Sequence, residues 1–430
     1  MFKIKKTYKP IKGIKRIRSK AYALIYAILV LVLIGVFSSV YLNMYYSNEH
    51  RKSMVFLQQD LRNDTKLALL EFLNSETLEA GNFQYDRSPL SKFTIKIKPW
   101  GVFDIISITG ERQTFKEIYS VLTGYEIKTP EMPSLYFENR DVLKIGGSTL
   151  ITKKANVPQK GVERAYINSK GKTRSKLIDG KVERFSRKSK SIMSAIDVLQ
   201  LEPGIGTEIN TGRVIPYEPD KNYYNSFANE VLILDIGSSG IVNSKINGHI
   251  KIIANDSIAI TNRANLSQVQ IISPKIRIET NFKGNAQCFA SQFIYVEKGA
   301  ELNYPSVLFL HADSINSGII LDEHAKIEGV VVAFKTKYER SLNPQVEFRK
   351  TSKIVGQVIT HQLNTQPSGI LYGPLFLNTM FLKTKSSIYT NHLLDTEINI
   401  NKLPEERLGV NLQDYSGKQR IINWLDHRTL

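Results

Sequence analysis

The chain has 430 residues, of which 42% are hydrophobic and 23% are charged, and this length is enough for more than one domain with a substantial core. Aromatic residues make up 10% of the chain, which argues against intrinsic disorder. The single cysteine, Cys288, excludes an intrachain disulfide framework and any cysteine-rich zinc or iron–sulfur centre.

The positive charge is concentrated at the N-terminus. The chain carries 58 Lys and Arg against 40 Asp and Glu, a net charge of +18. Nine of these basic residues lie within residues 1–20, which contain no acid, so half of the net charge belongs to this short tail. A basic tail beside an apolar segment is typical of the cytoplasmic end of a membrane helix.

An apolar segment follows the tail. Residues 21–48 contain no charged side chain, and residues 21–42 would form a helix of about 33 Å, which matches a bilayer core. We predict a basic cytoplasmic tail over residues 1–20 and a transmembrane helix over residues 21–46 of a single-pass protein. The alternatives are a cleaved secretory peptide, which is usually shorter, and a buried core helix, which needs no flanking cations. The side chains predicted to anchor the protein in lipid are Ala21, Leu24, Leu31, Leu33, Phe37 and Leu42.

The helical pattern continues beyond the apolar segment as an amphipathic stalk over residues 47–80. Apolar and small side chains recur there at three- and four-residue steps, and Gly81-Asn82 is the predicted stop. The stripe comprises Met54, Leu57, Leu61, Thr65, Ala68 and Phe72.

The membrane entry, residues 20–26, reads Lys-Ala-Tyr-Ala-Leu-Ile-Tyr and resembles the N-terminus of a type IV pilin or minor pseudopilin. Lys20 and residues 22–25 fit the basic, aromatic, small and aliphatic positions of the pilin leader. Ala21 stands where the family has Gly before the cleavage point, and Tyr26 stands where it has Glu. The resemblance implies a subunit of a type II secretion, type IV pilus or DNA-uptake machine. A plain signal anchor with a stalk helix is the alternative.

From residue 81 onward the period of the apolar residues changes to two. Phe93, Ile95 and Ile97 alternate with polar residues, and a second apolar run follows the turn at residues 99–101. We therefore predict a small β region over residues 81–134.

A repeat then indicates a β-solenoid over residues 135–390. Residues 244–248, 325–329 and 352–356 share the pattern small-Lys-Ile-x-Gly, each followed by aliphatic residues. Short strands of this kind bury their aliphatic side chains only by stacking on one another. The fold class is thus mainly β, with a right-handed parallel β-helix as the predicted solenoid and Ile246, Ile327 and Ile354 in its core. The pattern resembles bactofilin-like and other parallel β-helix repeat proteins, and a β-sandwich is the alternative.

The ends of a solenoid need caps, because open ends would expose unpaired strand edges. We predict a C-terminal cap over residues 391–430 that contains a short helix at residues 421–425. A second short helix is predicted at residues 191–201.

The sequence contains no recognisable catalytic motif. It has no Walker loop, nucleophile elbow or zincin motif, and its seven histidines are scattered. The densest acidic cluster, Asp322-Glu323-His324, is predicted to be a solvated turn. We therefore expect no catalytic, cofactor-binding or metal-ligating residue, no cofactor and no enzyme activity, with a carbohydrate-active β-helix enzyme as the alternative.

A basic cluster between residues 172 and 190 is the one predicted ligand-binding patch. It could bind a polyanion such as DNA, lipopolysaccharide or anionic lipid, and the alternative is an ordinary solvated loop. Its members are Lys172, Arg174, Lys176, Arg184, Arg187, Lys188 and Lys190.

Together these features predict a structural, scaffold or assembly component of the bacterial cell envelope. It would sit in the inner membrane with its N-terminus in the cytoplasm and its C-terminal domain in the periplasm. The expected partners are the lipid bilayer and other envelope proteins or further copies of the chain.

Overall fold

The computed structural model describes residues 15–74, 81–88, 90–167, 171, 173–185, 212–335, 342–412 and 415–429. The chain divides into two compact units, Met1–Asp64 and Thr65–Leu430. The first unit consists, where it is described, of one helix, and the second is rich in strands with a large parallel sheet.

The helix, α1, extends from Lys15 to Leu73. Leu, Ile, Ala, Met and charged residues with long side chains favour helix over most of this length, and its single glycine is Gly35. The predicted helix stop at Gly81-Asn82 was wrong, since the helix ends at Leu73 and Gly81 opens the first strand.

An antiparallel sheet follows α1. Its first four strands pair in chain order, and two C-terminal strands pair with the fourth. The sheet consists of β1 (Gly81–Ser88), β2 (Ser91–Trp100), β3 (Phe103–Arg112), β4 (Phe115–Glu126), β34 (Leu408–Gly409) and β35 (Gln419–Thr429).

The last turns of α1 pack on one face of this sheet. Ala68, Leu69 and Phe72 are buried there against Ile95 on β2 and Ile106 on β3. Side chains alternate between the two faces of a strand, so the lysines beside Ile95 point to the opposite face. The predicted alternation in residues 93–97 is confirmed, as is the hairpin after it.

Parallel strands form the rest of the second unit, and we call those from β5 to β33 the parallel ladder. They are β5 (Leu135–Phe137), β6 (Leu143–Gly146), β7 (Leu150–Ile151), β8 (Ala155–Val157), β9 (Val162–Arg164), β10 (Val182–Arg184), β11 (Arg213–Pro216), β12 (Tyr223–Asn225), β13 (Leu232–Asp235), β14 (Ser239–Val242), β15 (Lys245–Gly248), β16 (Ile250–Ile253), β17 (Ser257–Ile260), β18 (Asn265–Ser267), β19 (Val269–Ile272), β20 (Lys275–Ile278), β21 (Lys283–Gly284), β22 (Ala286–Ala290), β23 (Phe293–Val296), β24 (Glu301–His311), β25 (Gly318–Leu321), β26 (Lys326–Phe334), β27 (Gln345–Phe348), β28 (Lys353–Thr365), β29 (Ile370–Tyr372), β30 (Leu375–Lys383), β31 (Ile388–Thr390), β32 (His392–Leu394) and β33 (Glu397–Ile398). A short 3-10 helix follows at Ile400–Lys402.

Most strands of the parallel ladder pair with a strand two or three places further along the chain. One such series runs β13, β16, β19, β22, β24, β26 and β28, all parallel, with a register shift between Leu302 and Ser306 of β24. The exception is β31, which forms an antiparallel hairpin with β30. Side chains from the inner faces of these strands form the largest hydrophobic core, and apolar burial is the main source of its stability.

The order of strands in the parallel ladder differs from their order in the chain. Leu135 on β5 pairs with Leu375 on β30, and Ile151 on β7 pairs with Ile398 on β33. The first strands of the parallel ladder therefore stack beyond its last ones.

Two sequence expectations concern short helices. The apolar run at residues 421–425 was predicted as helical, and this was wrong: it lies in strand β35, where pairing with β4 satisfies its backbone. The helix predicted at residues 191–201 lies outside the described residues.

Candidate functional site

The predicted membrane-anchor residues lie in the first half of α1. Leu24, Leu31, Leu33, Phe37 and Leu42 are between 46% and 69% exposed, and the side chain of Ala21 lies outside the described residues. By length and composition the helix is able to cross a membrane. An apolar helix surface that the chain itself leaves uncovered is what lipid contact requires.

The three isoleucines predicted for the solenoid core are almost fully buried, with 0–1% exposure. Ile327 pairs directly with Ile354 on the next strand, and Ile246 pairs with Leu266. A backbone hydrogen bond of 3.0 Å from Asn285 N to Leu266 O continues this line of pairing. Beyond it, in-register pairs connect, in order, Gly284, Leu302, Ile327, Ile354, Leu371, Ile398 and Ile151. The repeated isoleucines therefore belong to one stacked row.

The glycine of the repeated pattern occupies the corner that follows each isoleucine. Gly329 and Gly356 have φ values of 144° and 148°, and Gly373 continues the row at 151°. A Cβ on any of the three would lie within 2 Å of a carbonyl oxygen of the preceding glycine or serine. Only glycine fits this combination of backbone conformation and close approach.

A network of ion pairs crosses the outer face of the parallel ladder. Tyr295 Oη donates to Asp322 Oδ2 at 2.7 Å, and Arg349 contacts both Asp322 and Glu347 at 3.3 and 3.2 Å. Lys383 Nζ completes the network at 2.7 Å from Glu347. Burial would raise the pKa of Asp322, but the hydrogen bonds from Tyr295 and the Glu323 N–H and the charge of Arg349 hold it below its usual range. These groups join successive strands as satisfied ion pairs.

The acidic cluster at residues 322–324 is divided between two environments. Asp322 belongs to the ion-pair network, whereas His324 is exposed and its Nδ1 lies 2.9 Å from Thr351 Oγ1. Among the described residues, no group of three or more His, Cys, Asp or Glu side chains is arranged to hold a metal ion. Cys288 is fully buried, and burial raises the pKa of its thiol to about 12. A thiol with that pKa is protonated at neutral pH and is a poor nucleophile.

The predicted basic patch is described in part. Arg174, Lys176 and Arg184 are exposed, while Lys172, Arg187, Lys188 and Lys190 lie outside the described residues. The patch stays a prediction.

The structure also brings together basic residues that the sequence analysis passed over. Lys96 and Lys98 on β2 line the same cleft as Arg213 on β11, with His249 beside them. The sequence signal was the alternation of these lysines with Ile95 and Ile97, which places them on the face of the sheet opposite to the helix. Arg213 reaches the cleft only through the tertiary structure, so no local sequence pattern could have predicted its place beside the two lysines.

No family model and no curated protein matches the chain. Among solved structures, the chain is similar to the competence-associated pilin ComZ from Thermus thermophilus at 9% sequence identity. The match covers 82% of this chain and 86% of ComZ, with a TM-score of 0.22. A TM-score of that size carries no argument about fold or function, so the proposals below depend on the residues of the chain itself.

Proposed function

We propose that this protein is a single-pass structural subunit of the bacterial cell envelope, held in the inner membrane by α1. Its second unit would act outside the cytoplasm as a scaffold or assembly surface built on a right-handed parallel β-helix. The observation that carries the proposal is the combination of a lipid-compatible helix with a stacked, aliphatic parallel ladder in one chain.

The membrane part of the proposal is supported by charge and exposure. Residues 1–20 carry nine cations and no acid, and the side chains after them are apolar and exposed. Under the positive-inside rule, this distribution retains the N-terminus in the cytoplasm and places residues 47–430 on the other side.

The scaffold part is supported by the pairing of the strands. Strands β24, β26 and β28 pair in parallel, and they bury the aliphatic side chains of Leu302, Ile327 and Ile354 at equivalent positions. This pattern is typical of solenoids, and it differs from the antiparallel pairing of a β-sandwich. The ion pairs on the outer face satisfy the carboxylates of Asp322 and Glu347, which favours a structural role for that face.

The experiment is membrane extraction of the full chain from cells. We expect the protein to stay in the membrane pellet after high-salt and alkaline carbonate washes and to enter the supernatant only with detergent. Leu31→Arg combined with Phe37→Arg should release it, because each arginine at the centre of a membrane helix costs roughly 2.5–3.5 kcal/mol. Leu67→Arg, at an exposed position near the end of α1, is the matched control and should leave extraction unchanged. Release of the unaltered chain by salt alone would contradict the proposal.

A second candidate, a minor pseudopilin-like subunit, is favoured by one further observation. The end of α1 is built into the second unit, where Phe72 packs on the antiparallel sheet and its ring lies 5.8 Å from that of Phe83. The C-terminal turns of α1 therefore belong to the core of the second unit.

The N-terminus of the mature protein separates the two candidates. An intact chain beginning at Met1 in purified membranes supports the plain anchor. A chain beginning at Tyr22 supports the pseudopilin-like subunit, because the leader resemblance places the cleavage point after Ala21. Intact-mass measurement distinguishes these two forms without a variant.

A further inference from the structure

The cleft lined by Lys96, Lys98 and Arg213 lies between the antiparallel sheet and the part of the parallel ladder that includes β11 and residues 227–231. Its volume is about 640 Å³, within the range of small-molecule sites in proteins. One wall is the face of β2, β3 and β4 that points away from α1, and the other is formed by residues 227–231 and His249.

Three cations of the cleft have no anionic partner among the residues that the structure describes. Lys96, Lys98 and Arg213 are exposed, and none takes part in an ion pair among the described residues. Most exposed lysines of the parallel ladder do form an ion pair. Lys275, for example, lies 3.0 Å from Asp256. Glu230 is the one acid that lines the cleft among the described residues, so the cleft has an excess of positive charge.

Hydroxyl groups continue the same wall. Lys96 pairs across the sheet with Ser107, and Ser107 pairs with Ser120 on β4. The hydroxyls of the two serines are 2.9 Å apart, and Thr109 lines the cleft beside them. Cations next to a row of hydroxyls supply both charge and directional hydrogen bonds to a bound oxyanion.

Packed aromatic rings form the base of the cleft. Trp100 is 2% exposed, and its ring lies 5.5 Å from that of Phe227 and 4.7 Å from that of His249. Lys251 Nζ lies 5.9 Å from the centre of the same tryptophan ring. Burial and the charges of Lys251 and Lys98 together lower the pKa of His249 to about 4, against the opposing effect of its hydrogen bond with the backbone of Asn229.

We propose that this cleft binds a phosphorylated, hydroxyl-rich molecule of the size of a sugar phosphate. Lys96, Lys98 and Arg213 would hold the phosphoryl group, because clustered cations and their N–H donors favour phosphate over neutral groups. Ser107, Thr109 and Asn229 would donate to and accept from the hydroxyls of its body. A cavity of about 640 Å³ is larger than a phosphate ion requires, so the body of the ligand fills part of the remaining volume. The assignment is independent of the scaffold function.

The test is calorimetric titration of the full chain in detergent with glucose 6-phosphate, glucose and inorganic phosphate. We expect saturable binding of glucose 6-phosphate, at least tenfold weaker binding of inorganic phosphate, and no measurable binding of glucose. Lys96→Gln with Lys98→Gln should weaken the binding of glucose 6-phosphate by at least a hundredfold, at about tenfold for each lost charge. Both side chains are exposed, so the folded state should persist.

The control is Lys245→Gln, which removes one positive charge from an exposed position on β15 that does not line the cleft. It should leave the affinity within twofold of the original. Failure of the unaltered chain to bind glucose 6-phosphate at millimolar concentration would overturn the proposal. Equal weakening by Lys245→Gln would also overturn it, since the binding would then follow net charge. If inorganic phosphate bound as tightly as glucose 6-phosphate, the hydroxyl groups of the ligand would contribute nothing to binding, and the proposed class of ligand would be wrong.

Discussion

Gly356 lies beside Gly329 in the parallel ladder, so closely that a Cβ on Gly356 would be 1.8 Å from the carbonyl oxygen of Gly329. Gly373 has the same relationship to Gly356. The backbones of successive strands thus approach at a corner where no side chain fits. The glycine of the repeated sequence pattern is therefore a requirement of strand stacking.

Gly356→Ala should destabilise the second unit strongly. The methyl group meets a backbone oxygen on the neighbouring strand, and a φ of 148° is unfavourable for alanine. We expect a loss of about 2–5 kcal/mol in the free energy of unfolding, measured by urea denaturation of the protein in detergent. Gly369→Ala is the control, because a Cβ there meets its nearest neighbour at 3.4 Å. A loss below 1 kcal/mol for Gly356→Ala would contradict this account of the corner.

Ile327→Ala should cost about 2–5 kcal/mol, because its side chain is fully buried in the stacked row. Ile354→Ala should cost a similar amount, and the double variant should be non-additive by at least 0.5 kcal/mol, since the two residues are direct partners. Ile246→Ala with Ile354→Ala should be additive because these residues lie several strands apart. If the free-energy losses of Ile327→Ala and Ile354→Ala were additive, the two side chains would not stabilise one another across the stacked row. Ile241→Ala, at a position 57% exposed, is the control for each.

Asp104→Asn should stabilise the protein at pH 7. Burial raises the pKa of Asp104 to about 6, against the opposing effect of a 3.1 Å hydrogen bond from Gln419 Nε2. The unfolded chain, with a carboxyl pKa of 3.8, ionises first, so this group makes the folded state less stable as the pH rises from about 4 to 6. We expect a gain of about 1–3 kcal/mol at pH 7 and almost none at pH 3.5. Asp313→Asn, at an exposed position, should show no such gain. An equal gain at both pH values would mean that the charge is not the cause.

His361 should make the protein less stable in acid. Burial lowers the pKa of this imidazole to about 4, assisted by the charge of Lys335 and opposed by a hydrogen bond with Asn378. Because the unfolded chain then binds the proton more readily, stability is lost as the pH falls from about 6.5 to 4, by about 3 kcal/mol. His361→Gln should remove that part of the pH dependence of the melting temperature. His324→Gln, at an exposed site, should leave the profile unchanged, and an unaltered profile for His361→Gln would contradict the assignment.

Local patterns were sufficient to predict much of the fold. The apolar run before Leu42 predicted the helix, and the spacing around Ile327 and Ile354 predicted their stacking, because each repeat buries the same side chain at the same corner. The pairing of Ile151 with Ile398 could not be predicted, since no local pattern specifies which segments meet at the end of a parallel ladder. The strand around Trp424 was predicted as a helix because a five-residue segment with four apolar residues fits both, and pairing with β4 decided the outcome.

The candidate sites were predicted less completely. The predicted anchor residues lie in one continuous apolar segment, so composition alone was enough to predict them. The cleft joins Lys96 and Arg213, which are far apart in sequence, so its charge excess becomes visible only in the folded unit.

The proposed function requires the second unit to lie outside the cytoplasm, and single-cysteine labelling tests this directly. Cys288→Ser removes the buried native thiol, and Asn316→Cys or Lys9→Cys then places one thiol in the exposed loop before β25 or in the N-terminal tail. We expect a membrane-impermeant maleimide to label Asn316→Cys in intact spheroplasts and to label Lys9→Cys only after the membrane is permeabilised. Labelling of Lys9→Cys alone in intact spheroplasts, or of neither variant before permeabilisation, would contradict the account.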